Sequence, residues 1–175
     1  MQQQPSSKRK VAIVDDHPIV RQGISQLIDQ EDDLFTCWQA GNAQEAIEMA
    51  AKGAPDILLV DISLDGISGI ELIKMLRQQS IKAPVLIISM HDESLYAERA
   101  LRSGAKGYIM KQEATEKVLT AIRQVLRGEI YLSERMQGKI LQRFINGEEG
   151  SLSAIDLLSD RELEVFRLIG HGYST

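Results

Sequence analysis

Five short apolar runs, separated by segments with helical periodicity, are the feature that most limits the folds open to this chain. The runs are VAIV (11–14), the more mixed LFTCWQA (34–40), ILLV (57–60), VLII (85–88) and YIM (108–110). Continuous apolar character over a few residues is typical of strands buried on both faces of a parallel sheet. Pro55 and Pro84 stand just before two of the runs, where proline removes no hydrogen bond from a sheet.

The segments between the runs carry the start and stop signals of helices. Asn42 is a capping residue type, and Ser68 followed three residues later by Glu71 forms a capping-box pattern. The helical segments 93–104 and 113–128 both close on glycine, a common residue at helix ends. A strand–helix order repeated five times predicts an α/β fold with a parallel sheet and helices on both faces.

Polar side chains stand directly after four of the apolar runs. They are Asp15 and Asp16 after the first run, Asp61 after the third, Ser89 after the fourth and Lys111 after the fifth. Because the carboxyl ends of parallel strands line one crevice, we expect these groups to meet at one edge of the sheet. Two like charges about 4 Å apart repel by roughly 4 kcal/mol at an effective dielectric constant near 20. The carboxylates therefore predict a bound cation.

Oxygen ligands alone suit a hard ion such as Mg²⁺, and no cluster of cysteine and histidine in the sequence indicates zinc. Successive strand residues point to opposite faces, so we expect Asp16 to bind the metal directly and Asp15 to act through water. Asp61 is then the candidate nucleophile for an aspartyl-phosphate. Lys111 would pair with one phosphoryl oxygen, and the Ser89 hydroxyl would donate to another.

The motifs VDDHP, LLVDISLDGISG, IIS and GYIMK resemble, in order and spacing, the receiver domain of bacterial two-component response regulators. The stretch DDHPIVRQG and the C-terminal LSDRELEVFRLIGHGYST are similar to the NarL/FixJ-like subgroup, whose effector is a LuxR-type helix-turn-helix. The resemblance implies a flavodoxin-like (βα)5 receiver with a five-stranded parallel sheet of order 2-1-3-4-5, followed by a C-terminal helical extension.

The resemblance also implies roles for individual residues. Asp61 is the phospho-acceptor, and the Mg²⁺ ligands are Asp15, Asp16, Asp61 and the backbone carbonyl of Ser63. The residues that contact the phosphoryl group or switch with it are Ser89, Tyr108 and Lys111. The resemblance further implies a cis peptide bond after Lys111. LDG (64–66) replaces the more usual Met-Pro-Gly, and Asp65 adds a carboxylate that can alter metal affinity or phosphoryl lifetime.

Four regions are expected along the chain: a disordered lead over 1–8, a receiver domain over 9–128, a linker with one amphipathic helix over 129–157, and the truncated start of a LuxR-type helix-turn-helix over 158–175. Ser133 is the expected N-cap of the linker helix. Its apolar face, which serves either core packing or a partner helix, consists of Met136, Ile140, Leu141, Phe144 and Ile145. Residues 158–175 are expected to stop before the recognition helix that would enter DNA, so DNA is expected as a partner only of the full-length effector domain.

Composition excludes several other classes. A net charge of −5 argues against binding nucleic acid by charge alone. The single cysteine, Cys37, forms no internal disulfide and fits a reducing compartment. The start MQQQPSSKRK lacks the apolar stretch of a signal peptide, and no run approaches the roughly 18 apolar residues of a membrane span. We therefore expect a cytoplasmic protein with no membrane partner.

The expected function is that of a switch that receives a phosphoryl group from a sensor histidine kinase, can form a homodimer, and controls a DNA-binding output. It is a phospho-acceptor that assists only its own phosphorylation and dephosphorylation, not a turnover enzyme. Two alternatives stay open: a phosphorylation-independent scaffold with a receiver fold, and a Mg²⁺-dependent phosphatase with an aspartate nucleophile. VDDHP lacks the two-residue spacing of acidic residues expected of such a phosphatase.

Two histidines are expected to have structural roles and not to bind metal. His17 is expected to shape the loop after the first strand instead of binding metal. His91, with Asp92 and Glu93, is expected to form a solvated helix start.

Overall fold

The computed structural model describes residues 8–146, together with Glu162 and Val165. The chain divides into two compact units, Met1–Ser133 and Glu134–Thr175. Most of the predicted lead (1–8) and of the predicted helix-turn-helix start (158–175) lies outside the described residues.

Strands and helices alternate throughout the first unit. The strands are β1 (Arg9–Val14), β2 (Leu34–Ala40), β3 (Ile57–Asp61), β4 (Val85–Ser89) and β5 (Gly107–Met110). The helices are α1 (Pro18–Asp29), α2 (Ala43–Lys52), α3 (Gly69–Gln78), α4 (Glu93–Arg102) and α5 (Lys111–Leu126).

The five strands form one parallel sheet with the order β2-β1-β3-β4-β5. Every residue of β3 and β4 is buried, as the continuous apolar runs predict. The apolar faces of α1 and α5 close one side of the sheet, with Ile24 and Ile28 packed in the same core as Val118 and Ile122. The structure confirms the predicted fold class, parallel pairing and strand order.

The helix starts follow the capping chemistry read from the sequence. Asn42 accepts a hydrogen bond from the backbone N–H of Glu45, and both bonds of the Ser68–Glu71 capping box are present. Helix α5 begins directly at Lys111. The peptide bond after Lys111 is trans, so the implied cis bond is wrong. A cis bond before a residue other than proline costs about 3 kcal/mol, and Gln112 is not proline.

The described part of the second unit is helix α6 (Glu134–Ile145). It begins at the residue after Ser133, and Leu141 and Ile145 of its predicted apolar face are exposed. Among the helices of residues 8–146, none combines the length and apolar character needed to cross a membrane.

Candidate functional site

The polar residues predicted from the strand ends come together at the carboxyl edge of the sheet. Asp15 follows β1, Asp61 ends β3, and Lys111 follows β5. The Lys111 Nζ lies 2.7 Å from Oδ2 of Asp15 and 2.7 Å from Oδ2 of Asp61. One ammonium therefore bridges two carboxylates that are brought together only by the parallel sheet.

A cluster of possible metal ligands surrounds this bridge. Ligand atoms of Asp15, Asp16, His17 and Asp61 all lie within 4.8 Å of one another. The Asp15 side chain is fully buried and that of Asp61 is 2% exposed, whereas that of Asp16 is 30% exposed. Three carboxylates of graded exposure in so small a volume fit a hard divalent cation, which prefers oxygen donors and keeps some of its water.

His17 contributes more to this cluster than the sequence indicated. Its backbone N–H donates to Oδ1 of Asp15 over 2.8 Å, which is the expected loop-shaping role. Its ring Nδ1 also lies 2.6 Å from Oδ1 of Asp16. From α1, the Arg21 guanidinium donates to the backbone carbonyl of Asp15, a contact that sequence analysis missed. These contacts hold the loop that carries both carboxylates.

Burial and charge act in opposite directions on the ionisation of this site. Burial raises the pKa of Asp61 from 3.8 to about 6, although the hydrogen bond from Lys111 and its positive charge counteract that rise. Burial tends to lower the pKa of Lys111, but its bonds to Asp15 and Asp61 outweigh burial and raise it. Lys111 is therefore an ammonium at neutral pH, and Asp61 is mostly a carboxylate.

The loop after β3 packs closely over Asp61. The Ser63 backbone N–H donates to Oδ1 of Asp61 over 3.3 Å, and Ser63 Oγ lies 2.6 Å from Nε2 of His91. An added Cβ at Gly69, the first residue of α3, would lie 2.1 Å from the carbonyl oxygen of Asp61, so only glycine fits there. The role of the Ser63 carbonyl as a metal ligand stays a prediction.

Ser89 and Tyr108 are joined through the loop after β4. The backbone N–H of His91 donates to Ser89 Oγ over 3.1 Å, and the Tyr108 hydroxyl donates to the backbone carbonyl of His91 over 2.9 Å. Tyr108 is buried, and burial raises its pKa, so its hydroxyl stays a neutral donor.

His91 itself is buried, so the expectation of a wholly solvated helix start is wrong for this residue. Its ring stacks on Tyr96 with the ring centroids 4.8 Å apart and pairs with Ser63. The turn between β4 and α4 draws the ring inward, whereas the next residue, Asp92, caps α4 at its surface. The polar residues next to His91 in the sequence had indicated an exposed position, so its burial was not predicted.

Comparisons with known proteins agree with one another. The family model of the response regulator receiver domain matches residues 11–123. A nitrate/nitrite response regulator protein homolog of Haemophilus influenzae is 32% identical over 167 residues, which cover 95% of this chain and 78% of that protein. The oxygen regulatory protein NreC of Staphylococcus carnosus is 33% identical over 169 residues, with 94% and 78% covered.

A solved structure of a response regulator is also similar to this chain. The chain resembles a LuxR-family two-component response regulator from Aurantimonas with a TM-score of 0.73 and 33% sequence identity. The similarity covers 79% of this chain and 99% of that one.

Proposed function

The chain belongs to the response regulator receiver family, among relatives of the NarL and NreC type, and from this premise we propose that Asp61 accepts a phosphoryl group from a sensor histidine kinase. The observation that carries the proposal is the Lys111 ammonium, 2.7 Å from both Asp15 and Asp61 in a nearly dry site. The family's members are in general phospho-acceptor switches, and this arrangement supports that role here.

Asp61 has the properties of a nucleophile for phosphoryl transfer. With a pKa of about 6, its carboxylate is mostly ionised at neutral pH. One carboxylate oxygen forms the new P–O bond while the P–N bond of a donor phosphohistidine breaks, and the electron pair of that bond returns to the imidazole. Lys111 stabilises charge on the phosphoryl oxygens, and Ser89 Oγ donates to another of them.

The proposed Mg²⁺ ligands are Asp15, Asp16, Asp61 and the backbone carbonyl of Ser63. Bound there, Mg²⁺ supplies neutralisation of the phosphoryl charge. The carboxylates within 4.8 Å of one another support this assignment. Asp15 also holds Lys111 in place, so it has a structural task besides any contact with the metal.

A groove beside the site supports docking of the phosphoryl donor. It lies between α1 and α5, has a volume of about 500 Å³, and reaches Lys111. Its walls are largely apolar and include Val20, Gly23 and Met90. Ile19, the neighbour of Val20, is 84% exposed. We propose that the kinase segment carrying the phosphohistidine packs on this apolar surface while the phosphoryl group reaches Asp61.

The regions of the chain follow from this role. We propose residues 9–128 as the receiver, 129–157 as the linker, and 158–175 as the start of a LuxR-type DNA-binding output that acts in transcription regulation. Cys37, the single thiol, fits a reducing cytoplasm as the location.

Phosphorylation of the purified chain by acetyl phosphate and Mg²⁺ tests the function. Intact mass should rise by one phosphoryl group, and Asp61→Asn should abolish the rise. Asp32→Asn is the matched control, because Asp32 is an exposed carboxylate between α1 and β2, at the opposite edge of the sheet, and its substitution should leave the rise unchanged. No mass gain on the native chain would favour the scaffold alternative. Turnover of a phosphate ester would favour the phosphatase alternative.

A further inference from the structure

The residues that follow α5 return to the sheet and lie along its open edge. This docked segment, residues 129–133, forms a parallel bridge between Tyr131 and Gly107 of β5. The Tyr108 N–H donates to the Tyr131 carbonyl over 2.9 Å, and the Tyr131 N–H donates to the Lys106 carbonyl over 3.0 Å. The docked segment therefore covers the edge of β5 that is left open by the other strands of residues 8–146.

Two helices also hold the docked segment. From α5, the Gln124 side-chain amide donates to the Ile130 carbonyl over 2.8 Å. From α4, one carboxylate oxygen of Glu93 accepts the Ser133 N–H over 2.9 Å, and the other accepts the Ser133 hydroxyl. Hydrogen bonds to a charged acceptor are worth more than neutral ones. Ser133 immediately precedes α6, so Glu93 grips the chain at the point where it leaves the first unit.

A series of hydrogen bonds connects this segment to Ser89, the last residue of β4. Ser89 Oγ accepts from the His91 N–H, the His91 carbonyl accepts from the Tyr108 hydroxyl, and the Tyr108 N–H donates to Tyr131. Glu93 stands only two residues after His91, at the first turn of α4. A movement of the loop 90–93 thus acts on both attachments of the docked segment.

We propose that Glu93 is a latch that holds Ser133 while Asp61 is unmodified and releases it when Asp61 carries a phosphoryl group. The inference rests on the proposed function. When Ser89 Oγ turns to the phosphoryl group, the His91 N–H loses its acceptor and the loop moves with Glu93. The receiver then frees the segment that leads into α6. The conformational change at the phosphorylation site is thus transmitted to α6 through the backbone of the docked segment.

The test uses the full chain labelled with ¹⁵N-tyrosine, which gives signals from only four tyrosines. The amide N–H groups of Tyr108 and Tyr131 donate the two backbone hydrogen bonds that join the docked segment to residues 106–108. Amide hydrogen exchange is measured with and without Mg²⁺ plus beryllofluoride, a phosphoryl analogue. We expect the analogue to accelerate exchange at Tyr131 by about tenfold or more, which corresponds to about 1.4 kcal/mol. Asp61→Asn should show no acceleration.

Variants at Glu93 separate the latch from the phosphorylation chemistry. Without the analogue, the Tyr131 amide of Glu93→Ala should already exchange about tenfold faster than that of the native chain, because the variant loses both hydrogen bonds from Ser133 to a charged carboxylate. Glu93→Gln is the matched control, since an amide can keep both contacts to Ser133 while the helix loses its terminal charge. Both variants should still gain one phosphoryl group from acetyl phosphate.

The outcomes are distinguishable. If Asp61 takes the phosphoryl group and Tyr131 stays as protected as before, the latch is refuted and the proposed function stands. If Glu93→Ala protects Tyr131 as well as the native chain does, the latch is also refuted. If Asp61 takes no phosphoryl group, the proposed function and its link to Glu93 both fail.

Gly107→Ala gives a second way to disrupt the docked segment, because its added Cβ would lie 2.9 Å from the Tyr131 carbonyl oxygen. The Tyr131 amide of this variant should exchange faster than that of the native chain, although Glu93 itself is not substituted.

Discussion

Replacing Asp61 by asparagine should stabilise the metal-free protein at neutral and alkaline pH. Asp61 is 2% exposed, and its ionisation is opposed chiefly by that burial. Asparagine has nearly the same shape, can accept the hydrogen bond from Lys111, and never ionises. Asp15 remains as the charged partner of Lys111, 2.7 Å away. The substitution therefore removes the cost of a buried negative charge and little else.

The size of the effect follows from the pKa. The pKa of Asp61 is about 6 in the folded protein against 3.8 ordinarily, so the folded state holds the proton more tightly than the unfolded chain. The native protein accordingly loses stability as pH rises from about 4 to about 6. The advantage of Asp61→Asn in free energy of unfolding should grow from under about 1 kcal/mol at pH 4 to about 3 kcal/mol at pH 8, with most of the change between pH 4 and pH 6.

Urea unfolding in the presence of EDTA measures this directly. Trp38 is the single tryptophan of the chain, and it is buried with its indole N–H donating to the Gly53 carbonyl, so its fluorescence reports unfolding. Asp65→Asn, which removes the charge of an exposed carboxylate in the same loop, is the matched control. Parallel curves for the native chain and Asp61→Asn between pH 4 and pH 8 would refute the reasoning, as would a less stable Asp61→Asn at pH 8.

Three further predictions use the same protein. Lys111→Met removes the cation between two buried carboxylates and should lower the free energy of unfolding by about 3–5 kcal/mol at pH 8. The loss should be smaller at pH 5, where Asp61 takes up a proton, and an equal loss at both pH values in urea titrations would contradict this. Gly69→Ala places a Cβ 2.1 Å from the carbonyl of Asp61 and should cost about 1–3 kcal/mol in the same titration, whereas Gly53→Ala, with open space around the added atom, should not show this loss. Ile19→Lys should slow phosphoryl transfer from a cognate kinase by about tenfold, or about 1.4 kcal/mol, while uptake from acetyl phosphate keeps its native rate; equal slowing of both would contradict docking at the exposed Ile19.

Much of the site was predictable because one rule of topology governs it. Parallel strands end at a common edge, so residues placed directly after buried runs must become neighbours whatever their distance in the sequence. Asp61 and Lys111 illustrate the rule, since they stand 50 residues apart and their side chains make a 2.7 Å contact. The structure brings these side chains together, and their roles in binding metal or the phosphoryl group stay predictions, as do those of Asp15, Asp16, Ser63, Ser89 and Tyr108.

The contacts of the loop after β4 were not predictable in this way. The stretch HDE (91–93) consists of polar residues, which in sequence indicates a solvated helix start. Only Asp92 behaves so, because it caps α4. His91 is buried under Tyr96 and against Ser63, and Glu93 holds Ser133 forty residues further along. No periodicity or spacing encodes which distant loop a polar side chain will meet.

The amino-acid sequence by itself determined the alternation of strands and helices, the parallel sheet and the residues at its carboxyl edge, because these depend on local apolar character and on a general rule of strand direction. The tertiary structure alone decided the pKa of Asp61, the burial of His91 and the docking of residues 129–133 on β5. Those properties depend on how much water is excluded around each group and on which backbone atoms approach it from other elements. Such properties arise from many contacts between residues that are distant in the sequence, so the order of residue types along the chain does not predict them.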